Sequence, residues 1–274
     1  MKRQIHWGAL IILLAGAVGF GLAIWFRLSL QGGETALEKL IAQNAPNENV
    51  QALARLPGGQ LAVGTTLGVI TGTGKRWERL PLVEGDVKAI AAVTDGYFLL
   101  AVSGRPVVSY AVRREIAELG IAAELVAVAG EGRLVALTGG RTLHASADDG
   151  KTWTKLASFN EGEKIVSLAA AGQRLAAGAL QGAIFESIDG GTTWETRQAP
   201  GGSVTALLYD PSKGGRLWTA AGGGVLYSDD GGQSWRRPSK RSANQPVIAL
   251  APAPAGGQGV VGITPGGLVV TIGE

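Results

Sequence analysis

A chain of 274 residues that is 46% hydrophobic has material for a large core, and its 43 glycines fit many tight turns better than long helices. Cysteine is absent, which excludes disulfides, thiolate metal sites and a lipid-modified N-terminal cysteine. The formal charge of +3 belongs to Lys2, Arg3 and Arg27; the other 22 basic residues meet 22 acidic ones, all beyond position 30, so most of the chain is neutral and carries no signature of nucleic-acid binding.

The first element in chain order is the uncharged run 8–26, which with Ile5, His6 and Trp7 reaches the length needed to span a bilayer as one helix. Trp7 and Trp25 stand near its ends, where indole rings favour the headgroup region. Lys2 and Arg3 precede the run and only Arg27 follows before Glu34, so the N-terminus is expected in the cytoplasm and the remainder in the periplasm or outside. A cleaved signal peptide is the rival reading, with Ala15-Gly-Ala17 as the cleavage site, but the apolar stretch continues to Phe26. Ala15, Gly19 and Ala23 share one helix face, as do Ala17 and Gly21, and such small faces let a second transmembrane helix approach closely. Residues 1–28 are therefore read as a cytoplasmic tip and single-pass inner-membrane anchor, 29–35 as a linker and 36–274 as one domain.

Within that domain an apolar strand signature containing a small residue recurs at Ala52, Ala89, Ala127, Ser167, Ala206 and Ala249, spaced by 37, 38, 40, 39 and 43 residues. The interval is that of a four-stranded propeller blade, and six markers make six blades. Only 25 residues follow Ala249, too few for a fourth strand, whereas Leu37-Glu-Lys-Leu-Ile lies 15 residues before Ala52. Residues 36–42 are expected to supply the missing strand and close the ring.

Three units carry an eight-residue pattern, Ser-x-Asp-x-Gly-x-x-Trp, expected between the third and fourth strands. The copies are Ser146-Ala-Asp148-Asp-Gly150-Lys-Thr-Trp153, Ser187-Ile-Asp189-Gly-Gly191-Thr-Thr-Trp194 and Ser228-Asp-Asp230-Gly-Gly232-Gln-Ser-Trp235, with successive tryptophans 41 residues apart. A short polar run with glycine between apolar segments is a hairpin turn, in which the aspartate accepts backbone N–H groups, glycine takes positive φ and tryptophan drives between sheets. Three equivalent carboxylates cannot share one active site, so the pattern reads as structure. Gly72-Thr-Gly74-Lys-Arg-Trp77 is a worn copy, and the stretch near Tyr110 to Glu118 has none.

These motifs resemble the Asp-box, or bacterial neuraminidase repeat, of sialidases, sortilin-type receptors, some glycanases and the photosystem II assembly-factor family. The resemblance implies an all-β propeller with the boxes as structural hairpins on its rim; since the superfamily mixes enzymes, receptors and assembly factors, it implies no one activity. The chain departs from the assembly factors in having six units and not seven, and an uncleaved anchor.

Candidate chemistry is sparse. His6 sits at the membrane edge, and His144, in a predicted third strand, replaces Phe185 and Leu226 of the sister blades, which marks it as a packed histidine. Gly222, Gly223 and Gly224 lack the Lys-Ser/Thr of a phosphate loop and read as a strand turn. Arg55-Leu-Pro57 has the letters of the sialidase Arg-Ile/Leu-Pro motif but ends a strand instead of opening one, and no carboxylate pair flanking a bond can be identified. No catalytic, metal-ligating or cofactor-binding residue is assigned. Arg236, Arg237, Lys240 and Arg241, in the loop from blade five to blade six, form a candidate partner-binding surface on the face opposite the boxes.

The sequence thus reads as a non-catalytic, membrane-anchored propeller that acts as scaffold, accessory or assembly subunit for other membrane proteins. The alternatives are a propeller that binds glycans or cell-wall fragments and, third, a sialidase-like glycosidase. A glycan binder needs loop-face aromatics, yet among the tryptophans only Trp218 has no place in the anchor or a box, and its context Leu-Trp-Thr-Ala-Ala reads as a second strand.

Overall fold

The computed structural model describes residues 36–44, 48–56, 58–81, 83–93, 97–111, 114–130, 132–239 and 241–273. The anchor 8–26, its small-residue face Ala15, Gly19 and Ala23, and the linker 29–35 lie outside them. No described helix is long and apolar enough to cross a membrane.

Residues 35–274 form one compact unit of six sheets, each a meander in which consecutive strands pair antiparallel. The first holds β1 (Val50–Arg55), β2 (Leu61–Thr65), β3 (Gly68–Thr73) and β4 (Arg76–Arg79), and the second β5 (Val87–Ala92), β6 (Tyr97–Val102), β7 (Val108–Ala111) and β8 (Arg114–Glu118). The third holds β9 (Leu125–Gly130), β10 (Arg133–Thr138), β11 (Thr142–Ser146) and β12 (Thr154–Ser158). The fourth holds β13 (Ile165–Ala171), β14 (Arg174–Ala179), β15 (Ala183–Ser187) and β16 (Glu195–Gln198). Two sheets have three strands: β17 (Val204–Tyr209), β18 (Leu217–Ala221) and β19 (Gly224–Ser228), then β20 (Ala249–Pro252), β21 (Val260–Ile263) and β22 (Val269–Ile272).

The first strands β1, β5, β9, β13, β17 and β20 touch one another in succession, and β20 returns to β1. The molecule is a closed six-bladed propeller. All six marker residues lie on these inner strands, as the spacing requires. In blades one, two, four and five the marker follows a register irregularity, between Val50 and Ala52, Val87 and Ala89, Ile165 and Ser167, and Val204 and Ala206. A bulge bends the strand where six sheets converge, and a small side chain avoids crowding there.

The core is divided in a way that suits a ring. Each of six buried apolar clusters fills one seam between neighbouring blades, for example Val69 and Leu80 against Phe98 and Leu100 between blades one and two. Trp218, fully buried, fills the seam between blades five and six with Val260 and Ile272. Both faces of every sheet are covered by another sheet, so the strands read as apolar runs more than as alternating patterns.

The seam between blades six and one corrects the expected closure. Residues 36–42 do not form a strand; Ala36–Asn44 is a helix, α1, with Leu37 and Ile41 buried against Val50, Leu53, Val261 and Ile263. Local chemistry explains the outcome: Ala, Leu, Glu, Lys and Gln are strong helix formers, and Leu37, Leu40 and Ile41 follow helical spacing. Glu38 in the first turn complements the helix dipole. The segment is at the closing seam, as its distance from Ala52 implies, but it plugs the wedge with side chains and leaves β22 without an outer partner among the described residues.

Blade five also lacks a full fourth strand. Only Arg236 pairs with Tyr227, and Pro238, which has no N–H, follows two residues later. The chain then makes a 3-10 turn, Arg241–Asn244, whose buried Ala243 packs in the seam between blades five and six.

Candidate functional site

The three Ser-x-Asp-x-Gly-x-x-Trp segments lie between third and fourth strand positions and share one hydrogen-bond scheme. In the first, Ser146 Oγ donates to Asp148 Oδ1 at 2.7 Å and accepts the Gly150 N–H at 2.9 Å. Asp148 Oδ1 accepts the Thr152 N–H at 2.9 Å and Oδ2 the Thr152 hydroxyl at 2.7 Å. Ser187, Asp189, Gly191 and Thr193 repeat the scheme at 2.8, 2.8, 2.9 and 2.6 Å. Ser228, Asp230, Gly232 and Ser234 repeat it again.

These contacts decide what the aspartates can do. The Thr152 N–H and hydroxyl, then Ser146, hold the Asp148 carboxyl down to about 2. The Thr193 hydroxyl and N–H bring Asp189, and the Ser234 hydroxyl and N–H bring Asp230, to about 2. A carboxylate that stays ionised and spends its lone pairs on its own turn is a staple and a poor proton donor.

Each turn also leans on the preceding blade. A Cβ on Gly150 would stand 2.8 Å from Leu119 Cδ1, and one on Gly191 2.5 Å from Leu156 Cδ2. The Trp153 indole donates to the Leu119 carbonyl at 2.9 Å, whereas Trp194 donates to Gly191 within its own turn at 3.0 Å. Trp77 of the worn copy donates to Gly74 at 3.0 Å, the bond of Trp194. The lost aspartate therefore left the tryptophan's role in place.

The six inner strands surround a central channel of about 450 Å³. Each strand is an edge of its sheet, so unpaired backbone groups face the channel between alanines such as Ala54, Ala91 and Ala129. At the end where these strands begin, Lys88 pairs with Asp86 at 2.5 Å and donates to Gln51 at 3.0 Å, while Gln51 also donates to Asp86. At the other end Arg55 donates to the carbonyls of Pro252 and Gly59, both at 2.7 Å, and burial lowers its pKa from the ordinary value. The charges at both mouths are thus engaged by the protein's own groups.

Two polar clusters have no sequence motif. Tyr209 donates to Glu186 Oε1 at 3.0 Å across the seam of blades four and five, with Arg174 Nη1 at 3.6 Å from the same oxygen. Burial first, then the Glu186 charge, pushes the Tyr209 phenol far above its usual range, so it is no nucleophile. In blade five Arg216 grips Asp229 at 2.5 and 2.9 Å and lies 4.2 Å over the Tyr227 ring, which packs on Trp218. Trp218 donates to Asp210 at 3.1 Å. The doubled Asp229-Asp230 in the third turn was the available signal: only the second belongs to the turn.

Of the basic candidates, Arg236, Arg237 and Arg241 are exposed, and Lys240 lies outside the described residues. Arg236 stands 3.9 Å from Asp229, and Arg237 donates to Asn244 at 2.9 Å. His144 is on β11, half-buried, with Nε2 3.1 Å from the Thr138 hydroxyl. Gly222 and Gly223 form the turn between β18 and β19, both at positive φ. Among the described residues no group of three or more His, Asp or Glu side chains stands close enough to hold a metal ion.

Fold and site together define a β-propeller whose recurrent motif is structural. The chain belongs to the DUF6242 beta propeller domain family, whose domain matches residues 113–252, just over half of it. No curated protein matches it. Among solved structures it is similar to YCF48 bound to D1 peptide, at 17% identity and a TM-score of 0.49, over 69% of this chain and 66% of that one. It is also similar to the Niastella koreensis GH74 enzyme, at 16% identity and a TM-score of 0.56, over 81% of this chain and 36% of that one. The chain thus spans less than two thirds of either, and the likeness to the GH74 enzyme is one of fold.

Proposed function

We propose that this protein is a membrane-anchored, non-catalytic propeller that serves as scaffold, accessory or assembly subunit for other membrane proteins. The observation that carries the reading is the state of its most distinctive residues: Asp148, Asp189 and Asp230 are each consumed by hydrogen bonds inside a rim turn. The geometry of those turns agrees with the Asp-box resemblance. What such a molecule offers is a stiff disc with variable loops, and the uncharged run 8–26 would confine that disc to the outer side of the inner membrane. Sugar stacking has little support, since Trp218, the tryptophan outside the motif and anchor, is fully buried.

The test is extraction of the tagged full chain in mild detergent and identification of what travels with it. One or more membrane proteins in stoichiometric amount are expected. A solitary monomer that turns over a sugar substrate overturns the reading.

A further inference from the structure

Among the described residues the central channel is lined by two charged side chains, both cationic, and by no Asp or Glu. Their surroundings differ. Lys88, at one mouth, is neutralised by its ion pair with Asp86 at 2.5 Å. Arg55, at the other, meets only carbonyls, those of Pro252 and Gly59, and its Nη2 has no partner among the described residues. A carbonyl fixes a guanidinium without cancelling its charge, and burial alone accounts for the lowered pKa of Arg55, with no neighbouring carboxylate acting against it. Asp210 lines an adjoining groove of about 200 Å³, but its carboxylate is spent on the Ser212 N–H and hydroxyl at 2.8 and 2.6 Å and on the Trp218 indole at 3.1 Å. One uncompensated positive charge therefore remains at this end. It is no requirement of the blade, since the same place in the other inner strands is held by Ala92, Gly130, Ala170, Tyr209 and Pro252.

The wall beside Arg55 offers backbone groups as well. Leu56, Val93 and Asp210 give their N–H groups across the hairpin to Gln60, Tyr97 and Arg216. Strand groups alternate, so the residues just before them, Arg55, Ala92 and Tyr209, turn N–H and C=O into the channel. The bond from Arg55 to the Pro252 carbonyl shows the same phase in blade six, where the next residue, Ala253, gives its N–H to Gly259. A space of about 450 Å³ is near the small end of ligand pockets, and alanine-rich walls with a few polar groups are their usual lining.

We propose that the channel is a binding site for a small organic monocarboxylate that also carries an amide-like donor and acceptor, the chemistry of an N-acylated amino acid. Its carboxylate takes Arg55 Nη2 in a charge-assisted bond, and its body pairs with the channel-facing groups of Ala92 and Tyr209. One cation calls for one negative charge, and the wall calls for a ligand with hydrogen-bonding groups of its own. The inference is independent of the scaffold reading, which uses the outer loops and the anchor.

The test is calorimetric titration of the full chain in detergent with a panel of N-acetyl amino acids. At least one should bind with one-to-one stoichiometry, and its carboxamide analogue, which differs in charge and hardly in shape, should bind at least tenfold more weakly. This comparison leaves the protein untouched, so it decides even where a variant fails to fold. Arg55→Gln should weaken the acid at least tenfold, whereas Lys88→Gln at the far mouth should change it less than twofold. No binding by any member of the panel, equal binding of acid and carboxamide, or an affinity that survives Arg55→Gln overturns the proposal. So does acetate that competes as well as the N-acetyl compound, which makes the site one for a bare anion. A longer peptide with the same C-terminal residue that binds at least tenfold more tightly makes a protein terminus the ligand and overturns it too. Membrane proteins that co-purify equally with the Arg55→Gln variant leave the scaffold reading standing whatever the titration shows, and their absence sinks that reading without touching the channel.

Discussion

The indole of Trp153 donates to the carbonyl of Leu119 at 2.9 Å, a bond between neighbouring blades across 34 residues of sequence. The equivalent Trp194 bonds only within its own turn, and the buried Trp235 Nε1 has no hydrogen-bond partner among the described residues. One motif thus supplies a rivet, a local clasp and a plain apolar wedge.

The difference is measurable by denaturant unfolding. Trp153→Phe keeps most of the packing and loses the inter-blade bond, a cost of about 1 kcal/mol. Trp235→Phe removes a buried N–H that has no described partner, and is expected to be neutral or slightly stabilising. Equal losses at the two positions would show that the Leu119 bond contributes nothing.

Acid should loosen the rim before the seams. The folded-state carboxyls of Asp148, Asp189 and Asp230 lie at about 2, below the 3.8 ordinary for an aspartate. A lowered pKa stabilises the fold above the unfolded value, and that contribution disappears as pH falls through the folded one. Stability should therefore fall between roughly pH 4 and pH 2, and the triple variant Asp148→Asn, Asp189→Asn, Asp230→Asn should flatten this part of the profile. Unfolding free energy measured at closely spaced pH values checks it; an unchanged slope in the triple variant refutes the assignment.

Gly191 and Gly139 separate two costs that a positive φ usually mixes. Both lie in left-handed conformations, with φ of 94° and 56°, but a Cβ on Gly191 meets Leu156 Cδ2 at 2.5 Å whereas one on Gly139 meets nothing within 4 Å. Gly139→Ala should cost roughly 1 kcal/mol from backbone strain alone. Gly191→Ala adds overlap with the neighbouring blade and should cost roughly 3 kcal/mol in all. A thermal-melt series across both variants decides whether the turn glycines are chosen for φ alone or also for the blade-to-blade approach.

What the chain made legible was whatever repeats. Six small residues at near-constant spacing placed the inner strands, and three motifs placed the rim turns, because the same packing problem recurs in each blade. Ala36–Asn44 departs from the expected strand: its place in the period is that of the closing seam, but apolar residues at 37, 40 and 41 follow helical and not alternating spacing, and the local signal prevails. The Glu186–Tyr209 and Arg216–Asp229 contacts had no repeat to betray them. The first joins two blades and the second faces across the β18–β19 hairpin of blade five, and neither pair of residues recurs in the other blades.

The last prediction concerns the seam that α1 closes. Leu37 is 1% exposed and lies with Ile41 in the apolar cluster that joins blade six to blade one. Leu37→Ala should cost about 3 kcal/mol, the usual loss for a leucine whose cavity cannot fully collapse. The location matters more than the size. In a ring each seam is a separate core, so the damage should be confined to strands that border this one. Hydrogen exchange should quicken in β1, β4 and β20–β22 and stay unchanged in β9–β16 on the far side. Leu143→Ala, fully buried in the seam of blades three and four, is the control: it should quicken exchange in β9–β16 and spare β20–β22. Uniform quickening in both variants would mean that the six seams open together and that α1 has no special part in holding the ring shut.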